Sequence, residues 1–189
     1  MKIRITLRLA LPALFLFLIH SAYGQIATSS DKTCPVKLGE TIPNASVLDV
    51  NSKTMDISEA IGSKPSIIIF YRGGWCPYCN VHLAALQEYE KELIKMGYQI
   101  IAVTPDSPDN IKKTLNEKEL TYTILSDNKY ELMSKMGLGY VDRKNRTLPI
   151  PSVYIVDADG KVKFNYINPN FRVRIEPELL MKAAELAIK

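Results

Sequence analysis

The apolar run Ser66-Ile67-Ile68-Ile69-Phe70-Tyr71 is followed, after a short interval, by Trp75-Cys76-Pro77-Tyr78-Cys79. The run is β-branched and aromatic and does not alternate with polar residues, which is the pattern of a strand buried on both faces. Beyond the cysteines, Leu83, Leu86, Leu93 and Met96 recur at helical intervals. Together these periods predict a strand, a turn and a helix, with both thiols at the junction. Proline suits a first helical position because its missing N–H would be unpaired there anyway, so Pro77 makes Cys76 the expected N-cap. Unpaired first-turn N–H groups and the positive end of the helix dipole favour a thiolate. Helix N-termini and Cys-X-X-Cys pairs lower a cysteine pKa to roughly 3.5–7.5 from about 8.5. Cys76 is therefore the expected nucleophile. Cys79, one turn further in, is the expected resolving thiol that attacks an intermediate formed on Cys76.

The N-terminus has its own signature. Lys2, Arg4 and Arg8 precede an apolar stretch from residue 9 to 19, and Ser21-Ala22-Tyr23-Gly24 supplies small residues where a signal peptidase would cut. This is the pattern of a secretory leader over residues 1–24. The stretch is short of the ~20 residues a spanning helix needs and is interrupted by Pro12. Lys32-Thr33 before Cys34 lacks the small apolar residues of a lipidation signal. The expectation is an exported protein of the periplasm or cell envelope with no stable span after processing. Residues 25–35 are expected to form a flexible segment, and 36–189 one domain large enough for a real core.

Charge excludes some partners. The formal net charge is +4, and the leader holds three basic residues and no acidic ones, so the remainder sits near +1. That gives no electrostatic basis for nucleic-acid or membrane-surface binding. Three cysteines in an exported chain cannot all pair internally, and a Cys-X-X-Cys loop is too short to be a useful staple. Redox chemistry accounts for the pair better. Cys34 is read as a bystander.

Along the chain, residues 42–49 and 53–57 alternate around Asn51-Ser52 as an N-terminal hairpin, followed by a short helix over 58–61. After the long helix, Gly97 supplies a stop and 98–104 another buried strand. Ser107 and Pro108 start a charged helix over 109–119. Residues 122–125 are extended and 128–136 helical. Two strands, 153–157 and 161–166, meet across Ala158-Asp159-Gly160, and an amphipathic helix over 178–188 ends the chain. The order predicts an α/β fold with a mixed sheet flanked by helices.

The β-α-β unit bearing Trp-Cys-Pro-Tyr-Cys, with Ile150-Pro151-Ser152-Val153-Tyr154-Ile155-Val156-Asp157 before the last hairpin, resembles the thioredoxin fold. The N-terminal hairpin extension and the segments 70–79, 102–107 and Leu125-Ser126-Asp127 make it more specifically similar to the alkyl hydroperoxide reductase/thiol-specific antioxidant (peroxiredoxin-like) family and to exported thiol–disulfide oxidoreductases. The resemblance implies that Pro151 is cis and lies against the Cys76–Cys79 pair, and that Trp75 shields the active turn. Peroxidases of the family place Thr or Ser three residues before the attacking cysteine and an arginine near the later strand. Here those positions hold Gly73 and Pro151, departures that favour disulfide exchange over fast peroxide reduction. Arg72, Arg143 and Arg146 are alternative sources of positive charge, Arg72 the best placed.

Other constellations are weaker. Cys34, Cys76, Cys79 and His82 are ligand types, but structural zinc sites draw paired ligands from separate loops, and covalent haem needs histidine where Asn80 stands. No metal or organic cofactor is expected. His82 is read as a polar face residue, and Asp106, Asp127 and Asp157 as turn caps. The resulting expectation is an antioxidant thiol oxidoreductase that reduces protein disulfides or peroxides and is reopened by a thioredoxin-like thiol reductant. A non-catalytic envelope binding module is the alternative, which two intact thiols disfavour.

Overall fold

The computed structural model describes residues 24–188; the proposed leader therefore lies outside the described residues, apart from Gly24. The described chain runs β1 (Ser46–Leu48), β2 (Thr54–Asp56), α1 (Ile57–Ile61), β3 (Ser66–Phe70), α2 (Pro77–Lys95), β4 (Gln99–Thr104), α3 (Pro108–Lys118), β5 (Thr123–Ser126), α4 (Glu131–Lys135), β6 (Gly139–Val141), β7 (Thr147–Pro149), β8 (Ser152–Val156), β9 (Val162–Ile167) and α5 (Pro177–Ala187). Seven strands form one sheet in the order β2-β1-β5-β4-β3-β8-β9. β3 pairs in parallel with β4 and β4 with β5, while β8 and then β9 add antiparallel to β3.

β3 lies inside the sheet, and its side chains divide by parity. Ile67 and Ile69, with Tyr71 just past the strand, pack with Leu83, Leu86 and Leu93 of α2, Ile111 of α3 and Leu180 of α5. Ile68 and Phe70 face the other way, toward Ile57 and Ile61 of α1 and Leu132 of α4. Both faces are covered by helices, which is why this strand carries no polar alternation. β8 repeats the division, with Val153 and Ile155 on the α2 face and Tyr154 and Val156 on the other.

α2 begins where expected, with Cys76 as N-cap and Pro77 in the first turn. It ends in a Schellman motif: Gly97, at φ 90°, donates to Ile94, and Tyr98 donates to Leu93. The stop fixes the entry into β4 and so the parallel register of β4 against β3.

The structure departs from the sequence reading in several places. α4 starts at Glu131 rather than 128, because Tyr130 stands at φ 61° and Asp127 caps the helix from below, accepting from the Leu132 and Met133 N–H groups. The β6–β7 hairpin was not expected. It closes on a turn in which Asp142 Oδ1 accepts from the Lys144 and Arg146 N–H groups and Asn145 takes φ 57°. The segment 25–35, expected to be flexible, is bonded to this hairpin: Ala27 N donates to Gly139, and Val141 N donates to Ala27. Composition does not reveal an open strand edge ready to accept a neighbour.

Pro151 requires a correction. The described residues contain no cis peptide bond, so Pro151 is trans. The chain reaches it already extended, with Pro149 opposite Gly139 and the Ile150 N–H bonded to Leu138. Ser152 then enters β8 opposite Phe70. An extended run between two strands suits the trans form, the X–Pro ground state by about 0.5–1 kcal/mol.

Candidate active site

The loop 71–75 that follows β3 is fixed at both ends. Tyr71 N donates to Val103 of β4, and Gly74 N donates to Asp106 Oδ2 at 2.7 Å, just beyond β4. From the helix side, Asn80 Nδ2 donates to the Gly74 carbonyl at 2.8 Å. Gly73 sits at φ 143°, and a Cβ there would come within 2.4 Å of Trp75 Nε1 and 2.8 Å of Asp106 Oδ1. The loop therefore needs glycine at this position.

Both thiols are reduced and buried. They are joined by a hydrogen bond that favours the thiolate on Cys76. That bond is the largest influence lowering the Cys76 pKa, to about 6; burial opposes it, while the Cys79 backbone N–H and the charges of Arg72 and Arg174 assist. The same bond, followed by burial and the charge on Cys76, pushes Cys79 up. Cys76, though buried, lines a cavity of about 800 Å³ opening to solvent, which Trp75, Pro77, Tyr78, Tyr140, Asp142 and Phe171 also line. Cys79 does not line it.

Arg72 is buried beside Cys76. Its Nη2 lies 3.6 Å from Asp142 Oδ2, and its guanidinium stands 4.1 Å from the Phe171 ring centre and 5.2 Å from that of Trp75. Arg146 closes the arrangement, with Nη2 2.6 Å from the same Asp142 oxygen and its guanidinium 4.2 Å from the Trp75 ring centre. Trp75 thus bridges two cations, yet it is 49% exposed and forms a wall of the cavity rather than a lid. Tyr78 meets Phe171 edge-to-face at 5.8 Å.

Other residues fall differently from expectation. Arg143 lines the cavity without an ion pair among the described residues. His82 is buried rather than on a polar face, and burial, aided by Arg174, pushes its pKa down to about 4, so the ring is neutral at pH 7. Arg174 Nη2 reaches Cys79 Sγ at 3.4 Å. Pro151 is buried and does not line the cavity. Cys34 is exposed, also off the cavity. Of the three aspartates expected to cap turns, Asp157 does so, accepting from Asp159 and Lys161; Asp127 instead caps α4 through Leu132 and Met133, and Asp106 reaches across to the Gly74 N–H and ties down the loop before α2. Among the described residues no three His, Cys, Asp or Glu side chains converge as a metal site. No described helix is long and apolar enough to cross a membrane.

Asp142, Phe171 and Arg174 were not foreseen. Asp142 carried a usable signal, because Asp142-Arg143-Lys144-Asn145 between Tyr140-Val141 and Thr147-Leu148 is a hairpin-turn pattern. Phe171 and Arg174 sit in an irregular loop and carried none.

A model of the AhpC/TSA family matches residues 38–165, the stretch holding the whole sheet up to β9 and both thiols. The chain belongs to the AhpC/TSA family. The chain is 28% identical over 142 residues to 1-Cys peroxiredoxin A of Oryza sativa subsp. japonica, the match spanning 70% of this chain and 64% of that protein. It is 23% identical to the thiol-disulfide oxidoreductase ResA of Bacillus thuringiensis, over 75% and 76% of the two chains. In fold it is similar to reduced Prx3 of Vibrio vulnificus, crystallised in complex with H2O2: TM-score 0.72 at 17% identity, covering 79% of this chain and 96% of that one. The thioredoxin-like mixed sheet expected from the sequence is the one observed.

Proposed function

We propose that this chain is an exported thiol oxidoreductase in which Cys76 attacks the substrate and Cys79 resolves the product. The observation that carries the reading is the hydrogen-bonded thiol pair at the start of α2, its outer member held toward the thiolate and lining an open cavity. Membership of the AhpC/TSA family, whose named relatives include peroxiredoxins and a thiol-disulfide oxidoreductase, supports thiol redox chemistry. Arg72 stabilises the Cys76 thiolate, Trp75 forms the cavity wall, and Pro77 starts the helix.

With a disulfide substrate, the Cys76 thiolate bonds one sulfur, the substrate S–S bond breaks and a thiolate leaves. With a peroxide, Cys76 bonds oxygen as the O–O bond breaks, giving a sulfenic acid and an alcohol or water. In both cases Cys79 then forms the Cys76–Cys79 disulfide, and a thioredoxin-like thiol reductant reopens it. Disulfide exchange is the favoured reaction, because Gly73 leaves no hydroxyl where peroxidases of the family place one. The peroxide reaction is the second reading, favoured by the Arg72 guanidinium beside Cys76.

Stopped-flow oxidation of the reduced protein by hydrogen peroxide separates the two. A rate no better than that of a free thiol leaves disulfide exchange alone. Trapping with Cys79→Ser, followed by identification of the molecule bound to Cys76, names the substrate. A Cys76–Cys79 potential below about −300 mV would suit an inert structural bond and favour the binding-module alternative. Export rests on the 1–24 leader, and N-terminal sequencing of the mature protein tests it, with cleavage expected near Gly24.

A further inference from the structure

Arg174 is a second cation at the thiols, half-buried, and its contact with Cys79 has no task in the chemistry above. The loop between β9 and α5 carries it to the start of α2, where Nη2 donates to Cys79 Sγ at 3.4 Å. Nη1 donates to the carbonyls of Phe171 and, at 2.9 Å, Val173, and these bonds hold the guanidinium in place. Its Nε is buried without a partner, as is His82 Nε2 beside it. A buried donor left unsatisfied is costly. For Nη2, a neutral thiol is a poor acceptor, whereas a thiolate makes a charge-assisted bond roughly twice as strong as a neutral one. The arrangement suits an ionised Cys79 better than a protonated one.

In the reduced protein that ionisation is blocked. The hydrogen bond to Cys76 comes first among the influences raising Cys79, followed by burial and the Cys76 charge. Once Cys76 has bonded a substrate atom, its negative charge is gone. The influences that favour the Cys79 thiolate, the Arg72 backbone N–H and the Arg174 charge, remain. The other titratable groups facing Cys79 offer no rival charge, since burial holds Tyr71 protonated and His82 neutral.

We propose that Arg174 is a catalytic residue of the resolving step, holding Cys79 as a thiolate while its sulfur attacks Cys76. The proposal rests on the reading of Cys76 as nucleophile and Cys79 as resolving thiol. In the step, Cys79 gives its proton to water, its sulfur bonds the Cys76 sulfur, and the bond from Cys76 to the substrate sulfur breaks with the electron pair leaving on that sulfur. The thiol pair is oxidised by two electrons and the substrate disulfide is reduced by two.

The test uses dithiodipyridine as the substrate disulfide and the full chain in a Cys34→Ser background, which removes the exposed thiol. Stopped-flow absorbance follows two thiopyridone releases, the first from attack by Cys76 and the second from resolution by Cys79. At pH 8, where Cys76 is ionised with or without the Arg174 charge, the first release for Arg174→Met changes by about twofold or less. The second slows by about tenfold or more, the loss of one hydrogen bond to a charged group, and its pH midpoint rises. Arg174→Lys, which keeps the charge, recovers part of the second rate. A second release unaltered in Arg174→Met, or both releases slowed alike, overturns the proposal. Should Arg174→Met not fold, the parent decides: its second release has a pH midpoint below the about 8.5 of an ordinary cysteine, and a midpoint at or above that value overturns the proposal. Absence of any second release in the parent defeats the thiol-pair reading itself, a distinguishable result.

Discussion

Cys76 and Cys79 share one hydrogen bond and are driven in opposite directions by it. The outer thiol gains a donor and the inner thiol gives up its freedom to ionise, so the pair holds one thiolate at neutral pH, the nucleophile of the proposed reaction. Arg72 strengthens the asymmetry from a position where it stacks on Phe171 and lies against Asp142. Replacing it tests that contribution. For Arg72→Met, the Cys76 pKa is expected to rise by about one unit, the low end of what a neighbouring opposite charge supplies, so alkylation by iodoacetamide at pH 6 slows several-fold. Gly73 is a residue-scale constraint of another kind. Gly73→Thr, which restores the family's hydroxyl, is expected to cost about 1–3 kcal/mol in urea denaturation, because the side chain must enter at φ 143° against Trp75 and Asp106, and it brings no gain in peroxide rate. The two cysteines were legible in the sequence because proline beside them fixes the helix start. Arg72 was legible by adjacency. Arg174 was not, since contact with Cys79 across most of the domain leaves no local pattern.

At the scale of elements, the site is a product of how helices begin. α2 starts at the end of a buried strand, with its first N–H groups next to the thiols, and the loop before it is tied to β4 through Asp106. α4 shows a capping device at a distance: Asp127 lies four residues before the first helical residue and still accepts from the Leu132 and Met133 N–H groups. Asp127→Ala is expected to lower stability by about 1–2 kcal/mol, with Asp127→Asn losing less, as read by thermal or urea unfolding. That cap explains why the helical expectation over 128–136 began too early, since composition favoured helix while Tyr130 took a left-handed conformation. Strands β3, β4 and β8 were legible because burial on both faces leaves an uninterrupted apolar run. Strands β6 and β7 were not, being three residues each, with a charged turn that read as surface. They nonetheless deliver Asp142 and Arg146 to the cavity.

For the molecule as a whole, one sheet separates two apolar layers, and the site occupies one end of the layer beneath α2. Its chemistry therefore depends on core packing. Leu86→Ala, which removes a fully buried side chain between α2 and the sheet, is expected to cost about 2–5 kcal/mol by urea denaturation. Cys34 sits on the opposite account, exposed and off the cavity, so Cys34→Ser is expected to alter turnover by about twofold or less. The order of elements and the AhpC/TSA character were readable from the chain, because hydrophobic period and thiol spacing are local. Arg146 was among the candidate cations and Asp142 lay in a readable turn, but their meeting with Phe171 and Arg174 came only from folding, which brings loops after β6, β9 and β3 to one place. The most direct measurement of the central claim is the ultraviolet thiolate absorbance of the reduced Cys34→Ser protein, titrated with pH and compared with the same protein carrying Cys76→Ser. One thiol ionising with a midpoint of about 6, and lost with Cys76, is the expected result. No thiolate forming until pH reaches the about 8.5 of an ordinary cysteine would contradict the account.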